Sequence, residues 1–303
     1  MLASICIYWY TLFCVKNHAK LFNLTVFDTE TAAPARRTSG PVADKNHNKR
    51  TQYMKTPTLL EMLQSGVHFG HRTSKRHPNM EPYIFSARQN VHIINLEETQ
   101  RKLEEALKVL VDMAARGKTI LFVGTKKQAA AIVKKEAEAC GMPYVTTRWL
   151  GGLLTNFKNV STVPRKLTTL KADRDSGDLS KYTKKEQLDF EKEIAKLEIM
   201  VGGIETMTKM PDAVFIVDLK EEKTTVREAA QTGIPIFALC DTNTDPLKVQ
   251  YPIPANDDAV KSIEMMMSAV AGAINEGKAN PVEQPVNKKA LAGSKGAPRE
   301  TKK

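Results

Sequence analysis

The stretch Thr119-Ile-Leu-Phe-Val-Gly-Thr-Lys-Lys127 decides the fold class of this 303-residue chain. Its apolar run up to Val123 is typical of a central parallel strand that is covered by helices on both faces. From Lys126 to Cys140, alanine, isoleucine and valine recur at helical spacing, and Gly141 then ends the helix. A strand followed at once by a helix is half of a βαβ unit, so this stretch predicts an α/β fold.

The alternation of apolar strands with helices continues along much of the chain. Strands are predicted at residues 91–95, 211–218, 234–239 and 251–253, and helices at residues 59–66, 96–116, 224–231 and 257–276. Such alternation implies right-handed crossovers between parallel strands. We therefore predict one parallel sheet with helices on both sides.

Residues 157–206 interrupt this alternation because they contain no strand signal. The first part has a narrow apolar stripe with steps of three and four, at Val160, Val163, Leu167 and Leu170. After a polar turn at residues 175–178, Thr183 and Glu186 have the spacing of a capping box that begins a second helix. Two charged helices joined by a short turn predict an antiparallel helical hairpin that projects from the domain.

Composition divides the chain into four parts. We assign residues 54–156 and 207–277 to the α/β domain, 157–206 to the hairpin and 278–303 to a basic, disordered tail. We interpret residues 1–53 as a disordered upstream extension of the reading frame that is not part of the native protein, with Met54 as the natural start, because the well-patterned sequence begins there. The alternative is a genuine anchor or targeting peptide, although the apolar run at residues 2–15 is too short to cross a bilayer comfortably.

Charge is distributed unevenly within a net charge of +11. Residues 54–171 carry 19 basic and 9 acidic side chains, whereas residues 172–277 carry 12 basic and 20 acidic side chains. This asymmetry indicates a polyanion partner for the first half, and the acidic half could face solvent or a basic protein. The alternative is that the two halves interleave in the fold and largely cancel.

A cationic loop follows the short apolar helix predicted at residues 59–66. Arg72, Lys75 and Arg76 fall within five residues of one another. Each of these side chains could neutralise an RNA phosphate and release counterions. On charge alone, the alternative is an ordinary solvated loop.

Motifs for catalysis and nucleotide binding are incomplete. Residues 124–127 resemble a fragment of a phosphate-binding loop, but the spaced glycines of that motif are missing. The helix start there could still bind one anion, and an RNA phosphate fits as well as a nucleotide. No nucleophile–base pair or general-acid pair is present in the sequence pattern.

Metal-binding patterns are also weak. Asp241 and Asp245 follow a strand and could hold Mg²⁺, but a turn capped by aspartate is the preferred interpretation. His68, His71 and His77 could bind a metal, yet packing or RNA contact is preferred. The four cysteines show neither metal nor disulfide spacing. We therefore predict no metal site and no cofactor, apart from Mg²⁺ bound together with RNA.

Eight segments of the chain resemble one known family, the bacterial ribosomal protein uS2 family, in family order and spacing. The most characteristic is Arg148-Trp-Leu-Gly-Gly-Leu-Leu-Thr-Asn156. The others are residues 59–70, 82–88, 91–96, 121–127, 211–235, 241–246 and 253–259. The resemblance covers nearly three quarters of the chain; the extension before Met54 and the basic tail depart from the family pattern.

The resemblance implies a Rossmann-like (flavodoxin-like) three-layer α/β/α sandwich with an inserted α-helical hairpin. It also implies a non-enzymatic, cytoplasmic role in the small subunit of a bacterial ribosome. Family members contact 16S rRNA at the head–body junction and help to hold the large OB-fold protein that recruits mRNA. No membrane and no small-molecule substrate is implied. The alternative function is a Rossmann-like enzyme that binds a nucleotide or a phosphosugar.

Carried onto this sequence, the resemblance and the charge pattern together predict a set of rRNA contacts to phosphates and 2′-hydroxyls. The set is Arg72, Lys75, Arg76, Arg88, Lys126, Lys127, Arg148, Asn156, Lys158, Arg165 and Lys166. RNA contact or packing is expected of His68, His71 and Trp149.

Overall fold

The computed structural model of the chain describes residues 56–281. Its helices are α1 (Leu59–Gln64), α2 (Leu96–Ala115), α3 (Lys127–Cys140), α4 (Phe157–Val160), α5 (Thr162–Asp175), α6 (Lys184–Val201), α7 (Lys223–Thr232) and α8 (Val260–Ala279). Its strands are β1 (Phe69–Arg72), β2 (Ile84–Arg88), β3 (Val91–Ile94), β4 (Ile120–Val123), β5 (Tyr144–Val145), β6 (Ala213–Ile216), β7 (Ile236–Cys240) and β8 (Tyr251–Pro254). The predictions for residues 1–53 and for the tail beyond residue 281 lie outside the described residues.

Strands β4 to β8 form the predicted parallel sheet, in the order β5-β4-β6-β7-β8. Every residue of β4, β6 and β7 is buried, as expected for apolar runs covered on both faces. The chain passes from β5 on one side of β4 to β6 on the other side. The strand order therefore reverses between β4 and β6, which is where open α/β sheets commonly bind ligands.

Two apolar cores lie on the two faces of this sheet. On one face, Phe122, Phe215 and Phe237 pack with residues of α2, α3 and α8. On the other face, Leu121 and Ile216 pack with residues of α7 and of the helical hairpin. Adjacent residues of a strand supply opposite faces, as the pleat requires. The predicted three-layer α/β/α sandwich with its helical hairpin is therefore confirmed.

Helices α5 and α6 form the hairpin. The side chains and backbones of Thr183 and Glu186 make the expected capping box at the start of α6. Leu167, Ile194 and Leu197, near the base, are buried in the second core, whereas the distal turns are mostly exposed. The narrow apolar stripe of the first arm therefore packs into the second core near the base, and the charged distal part of the hairpin is exposed.

A second, small antiparallel sheet with the order β1-β3-β2 corrects two sequence expectations. The loop predicted after residue 66 contains strand β1, and the strand predicted at residues 91–95 joins this sheet instead of the parallel one. Both ladders are irregular, so their short strands carry little periodic signal. Helix α8 also begins three residues later than predicted, at Val260, because residues 257–258 belong to the loop before it, where their carboxylates contact Lys126.

Helix length and hydropathy show whether any described helix could cross a membrane. None of the helices within residues 56–281 is both long and apolar enough to cross a membrane.

Candidate nucleic-acid interface

The carboxyl ends of β4, β6, β7 and β8 meet at one edge of the parallel sheet, where acidic side chains surround a lysine. The Lys126 ammonium lies 2.6 Å from Asp258 Oδ1, 2.9 Å from Asp257 Oδ1 and 3.4 Å from Asp218 Oδ2. Burial would lower the pKa of Lys126, but the hydrogen bonds to Asp258 and Asp257 outweigh it and raise that pKa. Lys126 was predicted to contact phosphate; the structure places its charge among carboxylates instead.

Asp257 is the most deeply enclosed group of this edge, with no exposed surface. Burial, together with the neighbouring Asp218 and Asp241, raises the pKa of Asp257 to about 7. Its Oδ1 accepts a hydrogen bond from Lys126, whereas its Oδ2 has no hydrogen-bond partner among the described residues. The edge therefore carries more negative charge than Lys126 neutralises.

His71 connects the small sheet to this edge. Its backbone N–H donates to Thr242 Oγ1 at 2.9 Å, and its ring nitrogens lie 2.8 Å from Asp241 Oδ2 and 3.4 Å from Asp258 Oδ2. The hydrogen bond to Asp241 raises the pKa of His71. Gly70 permits the close approach, because a Cβ there would lie 2.6 Å from Thr242 Cγ2. His71 is thus held inside the protein, which favours packing over RNA contact.

Four groups at this edge could hold a divalent cation. His71, Asp241, Asp257 and Asp258 each offer one ligand atom, and these atoms lie within 4.8 Å of one another. An imidazole with carboxylates suits divalent first-row metals. This group differs from both metal sites that the sequence suggested. Of the three histidines it contains only His71, and of the pair Asp241 and Asp245 it contains only Asp241.

Asp245 instead makes the turn that was the preferred interpretation. Its Oδ1 accepts from the backbone N–H of Leu247 at 3.3 Å and from Asn79 Nδ2 at 2.8 Å. These bonds hold the pKa of Asp245 below its usual range. The absence of a bound metal stays a prediction.

The small sheet and the turn beside it expose several cations to solvent. Arg72, Lys75 and Arg88 are exposed, and no carboxylate lies within ion-pair distance of them in the described part of the chain. Arg76 lies 3.6 Å from the exposed carboxylate of Glu81. At the start of α3, Lys127 is exposed in the same way. His68 is partly buried beside Phe69, with ring centroids 4.0 Å apart.

The segment around Trp149 is organised by a buried carboxylate from α7. Glu228 accepts hydrogen bonds from Trp149 Nε1 at 3.1 Å, from the Gly152 N–H at 2.8 Å and from the Leu154 N–H at 3.1 Å. Burial alone would raise the pKa of Glu228, but these donors together lower it. Trp149 is 9 % exposed, which favours packing over RNA stacking.

The polar side chains of this segment are exposed to solvent on a turn whose backbone is hydrogen-bonded to Glu228. Arg148, Asn156 and Lys158 are exposed on either side of the residues bound to Glu228. On the first arm of the hairpin, Arg165 is exposed, while Lys166 is hydrogen-bonded to Glu193. Sequence inspection missed Glu228, because nothing local marks an acidic residue on a helix as the acceptor for a turn 74 to 79 positions away.

Comparison with known proteins gives one consistent result. A family model described as ribosomal protein S2 matches residues 62–277. Small ribosomal subunit protein uS2 of Sulfurimonas denitrificans is 48% identical over 222 residues, which cover 73% of this chain and 86% of that protein. The uS2 protein of Chlorobaculum tepidum is 48% identical over 228 residues, with 75% and 92% covered. That of Aliarcobacter butzleri is 47% identical over 222 residues, with 73% and 84% covered.

Proposed function

The chain belongs to the ribosomal protein S2 family, and we propose that it binds 16S rRNA at the head–body junction of the small ribosomal subunit. As a member of this family the chain is a structural ribosomal protein and not an enzyme. The rRNA contact and its place in the subunit are our proposal. Exposed, unpaired cations support the rRNA contact, and the family resemblance implies its place in the subunit.

The observation that carries the proposal is the separation of free cations from neutralised charges. Arg72 and Arg88 are exposed and form no ion pair within residues 56–281, whereas Lys126 is enclosed by three aspartates. Free, exposed cations bind a polyanion without first breaking an internal ion pair. We therefore propose phosphate and 2′-hydroxyl contacts for Arg72, Lys75, Arg76, Arg88, Lys127, Arg148, Asn156, Lys158, Arg165 and Lys166, and an internal role for Lys126.

The crevice at the reversal of strand order supports the same conclusion. The ammonium of Lys126 lies there beside Asp218 and Asp257, and these two carboxylates and that of Glu222 are buried. Glu222 also accepts hydrogen bonds from Thr125 Oγ1 at 2.6 Å and from Thr225 Oγ1 at 2.7 Å. A nucleotide phosphate entering this edge would meet like charges, which supports the proposal that the chain binds no nucleotide there.

The acidic half of the chain suits a protein neighbour. Residues 172–277 carry 20 acidic and 12 basic side chains, so a basic surface would be attracted to them. We propose that this half supports the OB-fold ribosomal protein that recruits mRNA, and that the complex works in the cytoplasm of a bacterium. We further propose that no cofactor is needed beyond Mg²⁺ bound with the rRNA.

Sedimentation of cell lysate through a sucrose gradient tests the proposal. At a KCl concentration of about 0.1 M, the tagged chain should move with the small-subunit peak, and it should leave that peak as salt rises. A variant with Arg72, Lys75 and Arg88 changed to alanine should leave the peak at lower salt. As a matched control, a variant with the exposed Lys108 changed to alanine should behave like the wild type. A chain that stays at the top of the gradient at low salt would contradict the proposal.

A further inference from the structure

Two arginines flank one residue at the tip of the small sheet. Arg72 in β1 and Arg88 in β2 both pair with Val91 in β3, which lies between them. Residues directly opposite each other in antiparallel strands place their side chains on the same face. Since neighbouring strands are about 4.8 Å apart, the Cα atoms of the two arginines are about 10 Å apart. Their guanidinium groups can therefore approach one small anion above Val91.

A cleft of about 600 Å³ opens beside this row. It is lined by Arg72, Thr73, Ser74, Gln89, Asn90 and Val91. The turn between β2 and β3 has φ angles of +50° at Gln89 and +62° at Asn90, as a tight two-residue hairpin turn needs. The Thr73 N–H donates to the Asn90 carbonyl oxygen at 2.9 Å, which ties the two sides of the cleft together. The cleft is thus fixed by backbone contacts before any ligand arrives.

The lining is chemically suited to a phosphate. No carboxylate is among the lining residues, and the hydroxyls of Thr73 and Ser74 have no hydrogen-bond partner within residues 56–281. Lys75 follows directly and is exposed. Val91 is the one apolar side chain of the lining, so the cleft lacks the apolar walls that would hold a nucleobase or an acyl chain. Among the lining side chains, Arg72 only donates, whereas the hydroxyls of Thr73 and Ser74 and the amides of Gln89 and Asn90 can donate or accept.

We propose that Arg72 and Arg88 together clamp a single phosphate of the rRNA backbone above Val91. The hydroxyls of Thr73 and Ser74 and the Asn90 amide then contact the neighbouring sugar and its 2′-hydroxyl. Two guanidinium groups on one phosphate give bidentate, charge-assisted hydrogen bonds, which lysine cannot reproduce. This inference rests on the proposed function and adds that the two arginines act on the same phosphate.

Equilibrium binding of the full chain to transcribed 16S rRNA across a KCl series tests the clamp. With either Arg72→Ala or Arg88→Ala, affinity should fall about fivefold to tenfold. The slope of log affinity against log salt should hardly change, because the remaining arginine still neutralises the phosphate. In the double variant the slope should fall by about 0.7 to 0.9, the value of one phosphate. Lys108→Ala serves as the control and should change neither quantity.

The double replacement by lysine separates charge from geometry. It should weaken binding while keeping the wild-type salt slope, since the charge remains and the planar fork is lost. A double alanine variant with an unchanged slope of log affinity against log salt would overturn the clamp. The clamp would also be overturned if each single variant alone lowered that slope by about 0.7 to 0.9, the value of one phosphate. If wild-type protein fails to bind 16S rRNA at all, the proposed function itself fails, which is a different result from wild-type binding with unaffected variants.

Discussion

Replacing Glu228 by alanine should loosen the Trp149 segment and destabilise the fold. The carboxylate is 6 % exposed, and three N–H groups donate to it within 3.1 Å. Hydrogen bonds to a charged group contribute about 1.5 to 3 kcal/mol each, and removing a shared acceptor leaves buried donors unpaired. Because the lost bonds are coupled and burying the carboxylate itself costs energy, we expect a net loss of about 3 to 4 kcal/mol.

The assay is thermal unfolding of the full chain followed by circular dichroism. For a domain of this size, each kcal/mol lowers Tm by about 2 to 4 °C, so Tm should fall by roughly 10 °C. Glu228→Gln should lose about half as much, since one amide oxygen still accepts while the NH₂ group faces backbone donors. The exposed neighbour Glu221, changed to alanine, is the matched control and should stay within about 0.5 kcal/mol of the wild type.

The same variant should also weaken rRNA binding through the side chains that the turn presents. Arg148, Asn156 and Lys158 keep their identity in Glu228→Ala but lose the fixed turn beneath them. Their contribution to the salt slope should therefore fall at temperatures where the variant remains folded. A Tm equal to that of the Glu221 control would refute the reasoning, because it would mean that the observed bonds do not stabilise this segment.

Three other predictions concern the sheet edge and the same carboxylate. Lys126→Met should cost about 3 to 5 kcal/mol in urea unfolding because it leaves buried carboxylates uncompensated, whereas Lys127→Met should change stability by less than about 0.5 kcal/mol; equal effects would contradict the geometry. Gly70→Ala should cost about 1 to 3 kcal/mol through its clash with Thr242, while Gly272→Ala, which meets nothing within 4 Å in α8, should be neutral or stabilising. The pKa of Glu228 is lower in the folded than in the unfolded protein, so the advantage of wild type over Glu228→Gln should be constant well above pH 4.5 and shrink on acidification below it. An advantage that grows with acid would contradict that sign.

Local patterns were sufficient for four of the five strands of the large sheet, but the two-residue strand β5 was not predicted. The apolar run of β4 and the helix that follows it are each specified by neighbouring residues, and both were predicted to within one or two positions. The capping box of α6 was found for the same reason. These features depend on burial and on bonds between residues close in sequence, so they can be read from composition and spacing.

Contacts across the fold could not be found in this way. His71 meets Asp241 across 170 positions, and Glu228 meets Gly152 across 76. The small sheet was missed because its strands are short and irregular and pair across intervening turns. Lys126 shows the limit most clearly: its position at a helix start indicated an anion, and the chain places three aspartates around it.

Hydroxyl-radical footprinting of small subunits tests whether the chain binds the backbone of the 16S rRNA. Subunits assembled with and without the chain would be compared along the whole 16S rRNA. We expect protected backbone positions in both head and body helices near their junction, with one local protection lost in the Arg72→Ala, Arg88→Ala double variant. Identical cleavage with and without the chain would contradict the claim that its free cations bind the rRNA backbone.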